Sequence, residues 1–128
     1  MEEQLISFET AKLAKKKGFN IPVDRFYNES LQGLGWRDSN EDQSKRNFNN
    51  SNTDYSAPTQ SLLQKWLRIK HQIDITVMIR FADSYGVVIH KDRNIYDGFE
   101  EIIIHPQYQK DTYAEALEIG LLEALKLI

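Results

Sequence analysis

The chain has 128 residues, which is the length of one ordinary domain and too short for two large ones. Its 16 lysine and arginine residues stand against 19 aspartate and glutamate residues, and the net charge of −3 excludes a nucleic-acid-binding protein of the strongly basic kind. The chain has no cysteine, which excludes disulfides, thiol chemistry and zinc sites built on cysteine.

The first residues and the apolar runs predict a cytoplasmic protein that makes no contact with a membrane. The chain starts Met-Glu-Glu-Gln, whereas a signal peptide has a basic start followed by an apolar run. The uninterrupted apolar runs, such as residues 102–104, are far shorter than the ~20 residues of a membrane-spanning helix.

Residues 7–17 predict a short helix. Ser7 can accept a backbone hydrogen bond as its N-cap, and Gly18 can end it in the left-handed conformation. The helix carries a run of lysines, Lys12, Lys15, Lys16 and Lys17. Two interpretations stay open: the cations complement the helix dipole, or they form a patch that faces phosphates.

Residues 28–57 differ from the rest of the chain. The preceding segment, 19–27, is predicted to be extended, because Pro22 prevents a helix interior. From residue 28 onward asparagine, serine, aspartate and glycine dominate, and neither helical nor strand periodicity survives. A loop of this length in a small domain is unusual. We therefore predict a polar, asparagine-rich insert at about residues 28–57.

Aromatic and cationic residues are interleaved within this insert. They are Trp36, Arg37, Lys45, Arg46, Phe48 and Tyr55. Such a mixture can stack on bases and hold phosphates. In the alternative interpretation, one or two of the aromatic residues pack the loop onto the core while the asparagine-rich part stays loose.

An amphipathic helix is predicted over residues 59–71, directly after Pro58. Leu63, Trp66 and Leu67 fall on one helical face, together with Leu62 and Lys70. We interpret Trp66 as a core residue rather than as a platform for a ligand.

Three strands are predicted after this helix. Residues 73–81 alternate between mostly apolar and mostly polar side chains. The odd-numbered side chains from Ile73 to Phe81 are expected on a buried face and the even-numbered ones on a solvent-exposed face. The second strand is expected over 86–91, and the third over 99–105, which Pro106 ends. Consecutive strands with short connections usually pair as an antiparallel meander.

The last helix has a capping box at its start. The hydroxyl of Thr112 can accept one free backbone amide, and Glu115 stands three places later. Gly120 costs about 1 kcal/mol relative to alanine in a helix interior. We expect it to lie where a neighbouring strand or helix comes close.

These elements predict an α+β fold. Their order is helix, insert, helix, three strands and helix. The expected architecture has two layers, a three-stranded antiparallel sheet with the helices packed on one face. We predict a single domain over residues 1–128 that contains the insert.

No catalytic motif, metal site or cofactor site is expected. A zinc site without cysteine needs converging histidines, and the chain has only His71, His90 and His105. A hairpin centred near Ile95 places His90 opposite Glu100 and separates it from His105 by roughly 17 Å. Nucleophile elbows, phosphate-binding loops and dinucleotide fingerprints are absent from the sequence. We therefore expect a protein that is not an enzyme and binds no cofactor.

Two long segments resemble a group of small uncharacterised proteins of phages and prophages from gut Bacteroides-type bacteria. The segments are Ala57-Pro-Thr-Gln-Ser-Leu-Leu-Gln-Lys-Trp-Leu-Arg68 and Thr112-Tyr-Ala-Glu-Ala-Leu with Glu123-Ala-Leu-Lys-Leu-Ile128. The N-terminal helix fits the same group, so the resemblance covers nearly the whole chain. It implies a phage or prophage origin and no particular activity.

The last helix also resembles the corresponding helix of HicB-type antitoxins, which follows a three-stranded meander. The matching residues are Asp111-Thr112, Glu115-Ala-Leu and Glu123-Ala-Leu125. This resemblance implies binding to a small ribonuclease toxin and to DNA. The chain departs from that pattern before the helix, where His105-Pro-Gln-Tyr replaces the usual proline- and glycine-cysteine-rich segment.

The favoured hypothesis is a phage or prophage accessory protein that acts by binding another protein. Its contact surface would be the polar face of the sheet or the insert, and the candidate residues are Lys12, Lys15, Lys16, Trp36, Arg37 and Phe48. The alternatives are a HicB-like antitoxin and nucleic-acid binding, the latter through Lys12, Lys15, Lys16 and Lys17, aided by Arg37, Lys45 and Arg46. An unpaired sheet edge also makes a homodimer a candidate, because such an edge invites pairing.

Overall fold

The computed structural model describes residues 4–31, 37–38, 45–79, 84–94, 98–103 and 112–128. These residues form an α+β structure, which confirms the predicted class. The helices are α1 (Phe8–Lys16), α2 (Gln60–His71) and α3 (Tyr113–Leu125). The strands are β1 (Arg25–Asn28), β2 (Arg37–Asp38), β3 (Asp54–Ser56), β4 (Ile73–Ile79), β5 (Tyr85–Asn94) and β6 (Gly98–Ile103).

The chain divides into two compact units, Met1–Thr59 and Gln60–Ile128. No linker composition in the sequence indicates this division, because the boundary falls between Thr59 and the first residue of α2. The prediction that residues 1–128 form a single domain stays a prediction.

In the N-terminal unit, α1 begins and ends as the sequence predicts. The Ser7 Oγ atom accepts a hydrogen bond from the backbone N–H of Thr10 at 3.2 Å. Gly18 has φ +95°, the left-handed conformation that a residue with a Cβ atom rarely adopts. The buried residues of the helix are Thr10, Ala11 and Ala14. Both ends are therefore fixed by local chemistry.

The segment 28–57 contains regular structure that periodicity did not reveal. Strand β1 pairs antiparallel with both β2 and β3, in the order β2-β1-β3. Asparagine side chains stabilise this segment by hydrogen bonds to its backbone. Asn49 Oδ1 accepts from the N–H of Ser56 at 2.8 Å, and Asn47 Oδ1 accepts from the N–H of Asn49 at 3.0 Å. Such local bonds replace the apolar face that pattern analysis detects.

In the C-terminal unit, β4, β5 and β6 pair antiparallel in the order β4-β5-β6. Helix α3 packs on β4 and β5, and α2 packs on β4 and on α3. Gly120 of α3 is buried against Ile75 and Val87, which confirms the close approach expected there. The core of this unit is apolar and consists of Leu63, Trp66, Leu67, Ile73, Ile75, Val87, Val88, Ile89, Ala116, Leu117, Leu121, Ala124 and Leu125.

The predicted register of the β5–β6 hairpin is wrong by one residue. His90 lies opposite Glu101, where Glu100 was expected, and Glu100 lies opposite Lys91. The pairing of β5 with β6 shifts register between Lys91 and Asn94, as it does at a β-bulge or a similar irregularity. A one-residue slip exchanges the two faces of a strand, so the symmetric turn assumed from sequence could not give the right pairs.

No helix within the described ranges is long and apolar enough to cross a membrane.

Candidate functional site

The lysines predicted to bind a partner have different environments on α1. Lys15 Nζ donates hydrogen bonds to the carbonyl oxygens of Ser51 at 2.5 Å and Asp54 at 2.9 Å. It also lies 4.5 Å from the centre of the Tyr55 ring. Lys15 thus ties α1 to the chain around β3, which is an internal structural role.

Lys12 and Lys16 keep exposed side chains. The Lys12 Nζ atom lies 5.3 Å from the centre of the Phe8 ring one turn earlier on α1. A cation–π contact made by an exposed lysine contributes roughly 0.5–1 kcal/mol, so this contact does not prevent Lys12 from binding elsewhere. These two lysines stay available for a partner, whereas Lys15 is already engaged.

Phe48 is a core residue of the N-terminal unit. It is 8% exposed, and its ring stacks on that of Phe26 with centroids 4.3 Å apart. Its N–H donates to Ser56 Oγ at 3.0 Å. Of the two interpretations of the insert's aromatics, this position fits the one in which they hold the segment on the core.

The two other predicted contact residues have little described structure. Arg37 is the first residue of β2, and its backbone lies opposite Phe26. Trp36 lies outside the described residues.

A second aromatic group joins α1 to β1 and β3. The Phe8 ring meets the rings of Tyr27 and Tyr55 edge-on, each with centroids 5.4 Å apart. The Tyr27 hydroxyl donates to the carbonyl of Ile6 at 2.7 Å. Burial raises the pKa of the Tyr55 phenol, and the negative charge of Glu29 and a hydrogen bond to it raise the pKa further. These contacts hold the unit together.

His71 occupies an unusual position at the end of α2. Its ring meets the Trp66 ring edge-on at 4.7 Å, and its Nε2 atom is buried without a hydrogen-bond partner among the described residues. Burial lowers the pKa of His71, and the charge of Lys70 lowers it further. Both effects favour the neutral ring. Within the described ranges, no group of three or more His, Asp and Glu side chains could hold a metal ion.

Strand β4 departs from its predicted burial pattern toward its C-terminal end. Ile73 and Ile75 are buried, as the alternation predicts, but Ile79 on the same face is 75% exposed. Thr76 and Met78 on the other face are exposed as well. The prediction that Ile79 is buried is wrong: on the same face Ile75 is covered by Gly120 of α3, whereas Ile79 stays largely exposed. We call residues Thr76, Val77, Met78 and Ile79 the open end of β4.

The backbone of this open end lies on an outer edge of the sheet. The described residues give β4 one strand neighbour, β5. On the other side, Gln64 Nε2 of α2 donates to the carbonyl of Ile75 at 2.8 Å, which indicates that the Ile75 carbonyl points away from β5. Because backbone groups alternate in an antiparallel strand, those of Val77 and Ile79 point the same way. Gln64 therefore caps the edge at Ile75, and no described strand pairs with the edge beyond it.

Aromatic side chains lie beside the open end. Ile79 pairs with Tyr85 across the sheet, and the Tyr85 ring meets the Tyr113 ring edge-on with centroids 6.2 Å apart. Tyr113 itself is 53% exposed. Tyrosine and methionine are enriched at protein–protein interfaces relative to the rest of the surface. Sequence analysis missed this site because its alternation rule treats every odd-numbered position of β4 as buried.

Comparison of the chain with known protein families, curated proteins and solved structures gives no match. The open end of β4 is thus assigned from the physical chemistry of this chain alone.

Proposed function

We propose that this protein acts by binding another polypeptide chain, without catalysis, and that the open end of β4 is its binding strand. The observation that carries the proposal is the 75% exposure of Ile79 on a strand with an unpaired outer edge in the described sheet. Exposed β edges bind extended peptides by adding a strand, so that main-chain hydrogen bonds give affinity and alternate side chains give specificity.

The side chains of the open end support this mode of binding. Val77 and Ile79 are β-branched, which suits them to a sheet, and neither carries a charge. Natural edge strands are usually protected by charges, proline or bulges. The open end has none of these: seven consecutive pairs from Ile73–Lys91 to Ile79–Tyr85 keep one regular register.

The contact surface proposed here differs from the one predicted from the sequence. Among the residues named from sequence, Lys15 and Phe48 are used in internal contacts, so they support the protein's own fold. Lys12 and Lys16 stay candidates for a secondary contact. Nucleic-acid binding and the HicB-like alternative gain no specific support from the positions of these cations.

Site-specific photo-crosslinking in cells that express the full chain tests the proposal. A photoreactive residue replaces Met78, and in a control variant it replaces Glu9, which is exposed on α1. We expect a covalent adduct with a protein at position 78 and none of equal yield at position 9. No adduct at position 78, or equal yields at both positions, would contradict the proposal.

A further inference from the structure

We infer that the chain bound at the open end of β4 is a second copy of the same protein, paired antiparallel about a two-fold axis at Met78. This inference rests on the proposed function and specifies its partner. In this arrangement Met78 lies opposite Met78 of the second copy, and Val77 lies opposite Ile79 of the second copy. The two sheets then continue through a β4–β4 junction.

The directions of the backbone N–H and C=O groups favour this register. By alternation the outward groups of β4 are those of Ile73, Ile75, Val77 and Ile79, and Gln64 already bonds the carbonyl of Ile75. A two-fold axis at Met78 uses the two positions beyond Ile75, because Val77 and Ile79 of each copy exchange hydrogen bonds with Ile79 and Val77 of the other. Among the described residues, this register uses no backbone group of Ile75. An axis at Val77 would instead require the capped Ile75 position.

The side chains are self-complementary in the same register. On one face each exposed Ile79 meets a Val77, and pairs of β-branched apolar residues across a junction stabilise a sheet. On the other face the two Met78 side chains, each 40% exposed, lie directly opposite each other. The flexible methionine side chain adapts to such a symmetric contact.

The charges are also compatible with a second copy. Asp74 is the one charged residue of β4, and it lies four positions from the axis. The two Asp74 carboxylates are therefore on opposite sides of the junction, separated by roughly eight residue steps, or about 27 Å along the strands. A parallel pairing in register would instead place them side by side.

The size of the junction predicts a weak, concentration-dependent dimer. It joins three residues of each copy. The surface area that these residues can bury is small beside the ~1,200 Å² or more that stable interfaces bury. We therefore expect a monomer–dimer equilibrium with dissociation in the micromolar to millimolar range rather than a permanent dimer.

Charge exchange at the axis tests this geometry. We expect sedimentation equilibrium of the wild-type chain, from about 1 µM to about 1 mM, to rise from the monomer mass of 15.0 kDa toward twice that value. Met78→Lys and Met78→Glu place like charges opposite each other, so each variant alone is expected to stay monomeric. An equimolar mixture of the two is expected to dimerise again, because the charges then become opposite.

Ile79→Pro provides a second test that does not use charge. Proline removes the outward N–H of Ile79, and an edge position tolerates proline. Circular dichroism checks that each variant is folded, and a folded Ile79→Pro chain is expected to be monomeric. A wild-type chain that stays monomeric over the whole range, or a mixture of Met78→Lys and Met78→Glu no more associated than either variant, overturns the inference.

The crosslinking experiment separates this inference from the proposed function. An adduct at position 78 with twice the mass of the chain supports the second copy. An adduct of another mass overturns the second copy and leaves the binding strand in place. The absence of any adduct contradicts both.

Discussion

Gly120 of α3 lies directly against Ile75 of β4. A Cβ atom at position 120 would stand 2.8 Å from Ile75 Cγ2 and 3.3 Å from Val87 Cγ1. Both neighbours are β-branched and have stiff side chains, so neither can easily move away. The missing side chain is therefore what allows α3 to approach the sheet at this point.

Gly120→Ala is expected to destabilise the C-terminal unit despite the better helix propensity of alanine. Overpacking a core costs about 1–3 kcal/mol, whereas the propensity gain is about 1 kcal/mol, so a net loss of about 1 kcal/mol is expected in urea unfolding. In an Ile75→Ala background, the Cγ2 atom is gone and the same substitution is expected to be less harmful. Equal costs in the two backgrounds would show that the contact does not limit packing.

Lys15→Met is expected to destabilise the N-terminal unit by about 2 kcal/mol, because it removes a charged donor from two carbonyl groups. Lys16→Met is the matched control, since Lys16 is the exposed neighbour on the same helix. It is expected to change the free energy of unfolding by less than about 0.5 kcal/mol. Equal effects of the two substitutions would contradict the assigned role of Lys15.

Phe48→Ala is expected to cost about 3 kcal/mol, as large-to-small substitutions in a core do. The ring is buried against Phe26 and leaves a cavity when it is removed. Tyr113→Ala serves as a control, because Tyr113 is 53% exposed and loses much less buried area. Denaturant unfolding of the two variants should therefore differ clearly, and a loss of stability no larger for Phe48→Ala than for Tyr113→Ala would be evidence against a core role.

His71 is expected to make the free energy of unfolding depend on pH. Its folded pKa lies below the ordinary value of 6.5, first because of burial and then because of the Lys70 charge. Below pH 6.5 the unfolded chain therefore binds more protons at this site than the folded chain. The contribution of His71 to stability is complete above about pH 6.5 and falls as the pH drops toward the folded pKa.

Urea unfolding between about pH 5.5 and 7.5 measures this dependence. His71→Phe keeps a ring beside Trp66 but cannot take up a proton. The decrease in the free energy of unfolding below pH 6.5 is therefore expected to be smaller in this variant. Lys70→Gln is expected to reduce the decline only partly, because burial is the larger cause of the lowered pKa. If His71→Phe unfolded with the same pH dependence as the wild-type chain, another group would be responsible.

The α+β class and the ends of the helices could be predicted from sequence because they depend on neighbouring residues. Ser7 caps α1, Gly18 ends it, and the Thr112 hydroxyl accepts from the N–H of Glu115 at 3.1 Å. A cap involves residues a few positions apart, so its chemistry is complete within a short window. The alternation of β4 likewise predicts a strand, and the strand forms from Ile73 to Ile79.

The candidate site depended on contacts that no short window contains. Lys15 donates hydrogen bonds to carbonyl groups 36 and 39 residues away. A lysine that the sequence predicts to bind a partner therefore makes internal contacts instead. Gln64 bonds the backbone of Ile75 and so divides β4 into a capped part and an open part.

The sequence by itself determined the three helices, their ends and the three strands that follow α2, since backbone propensity and capping are local; it did not indicate β2 and β3. Only the tertiary structure decided which apolar side chains are covered. Ile75 and Ile79 have the same side chain and the same place in the alternation, yet one is 6% exposed and the other 75%. Ile75 is buried because Gly120 of α3 lies against it, and such a contact is a property of packing between segments that are distant in the chain.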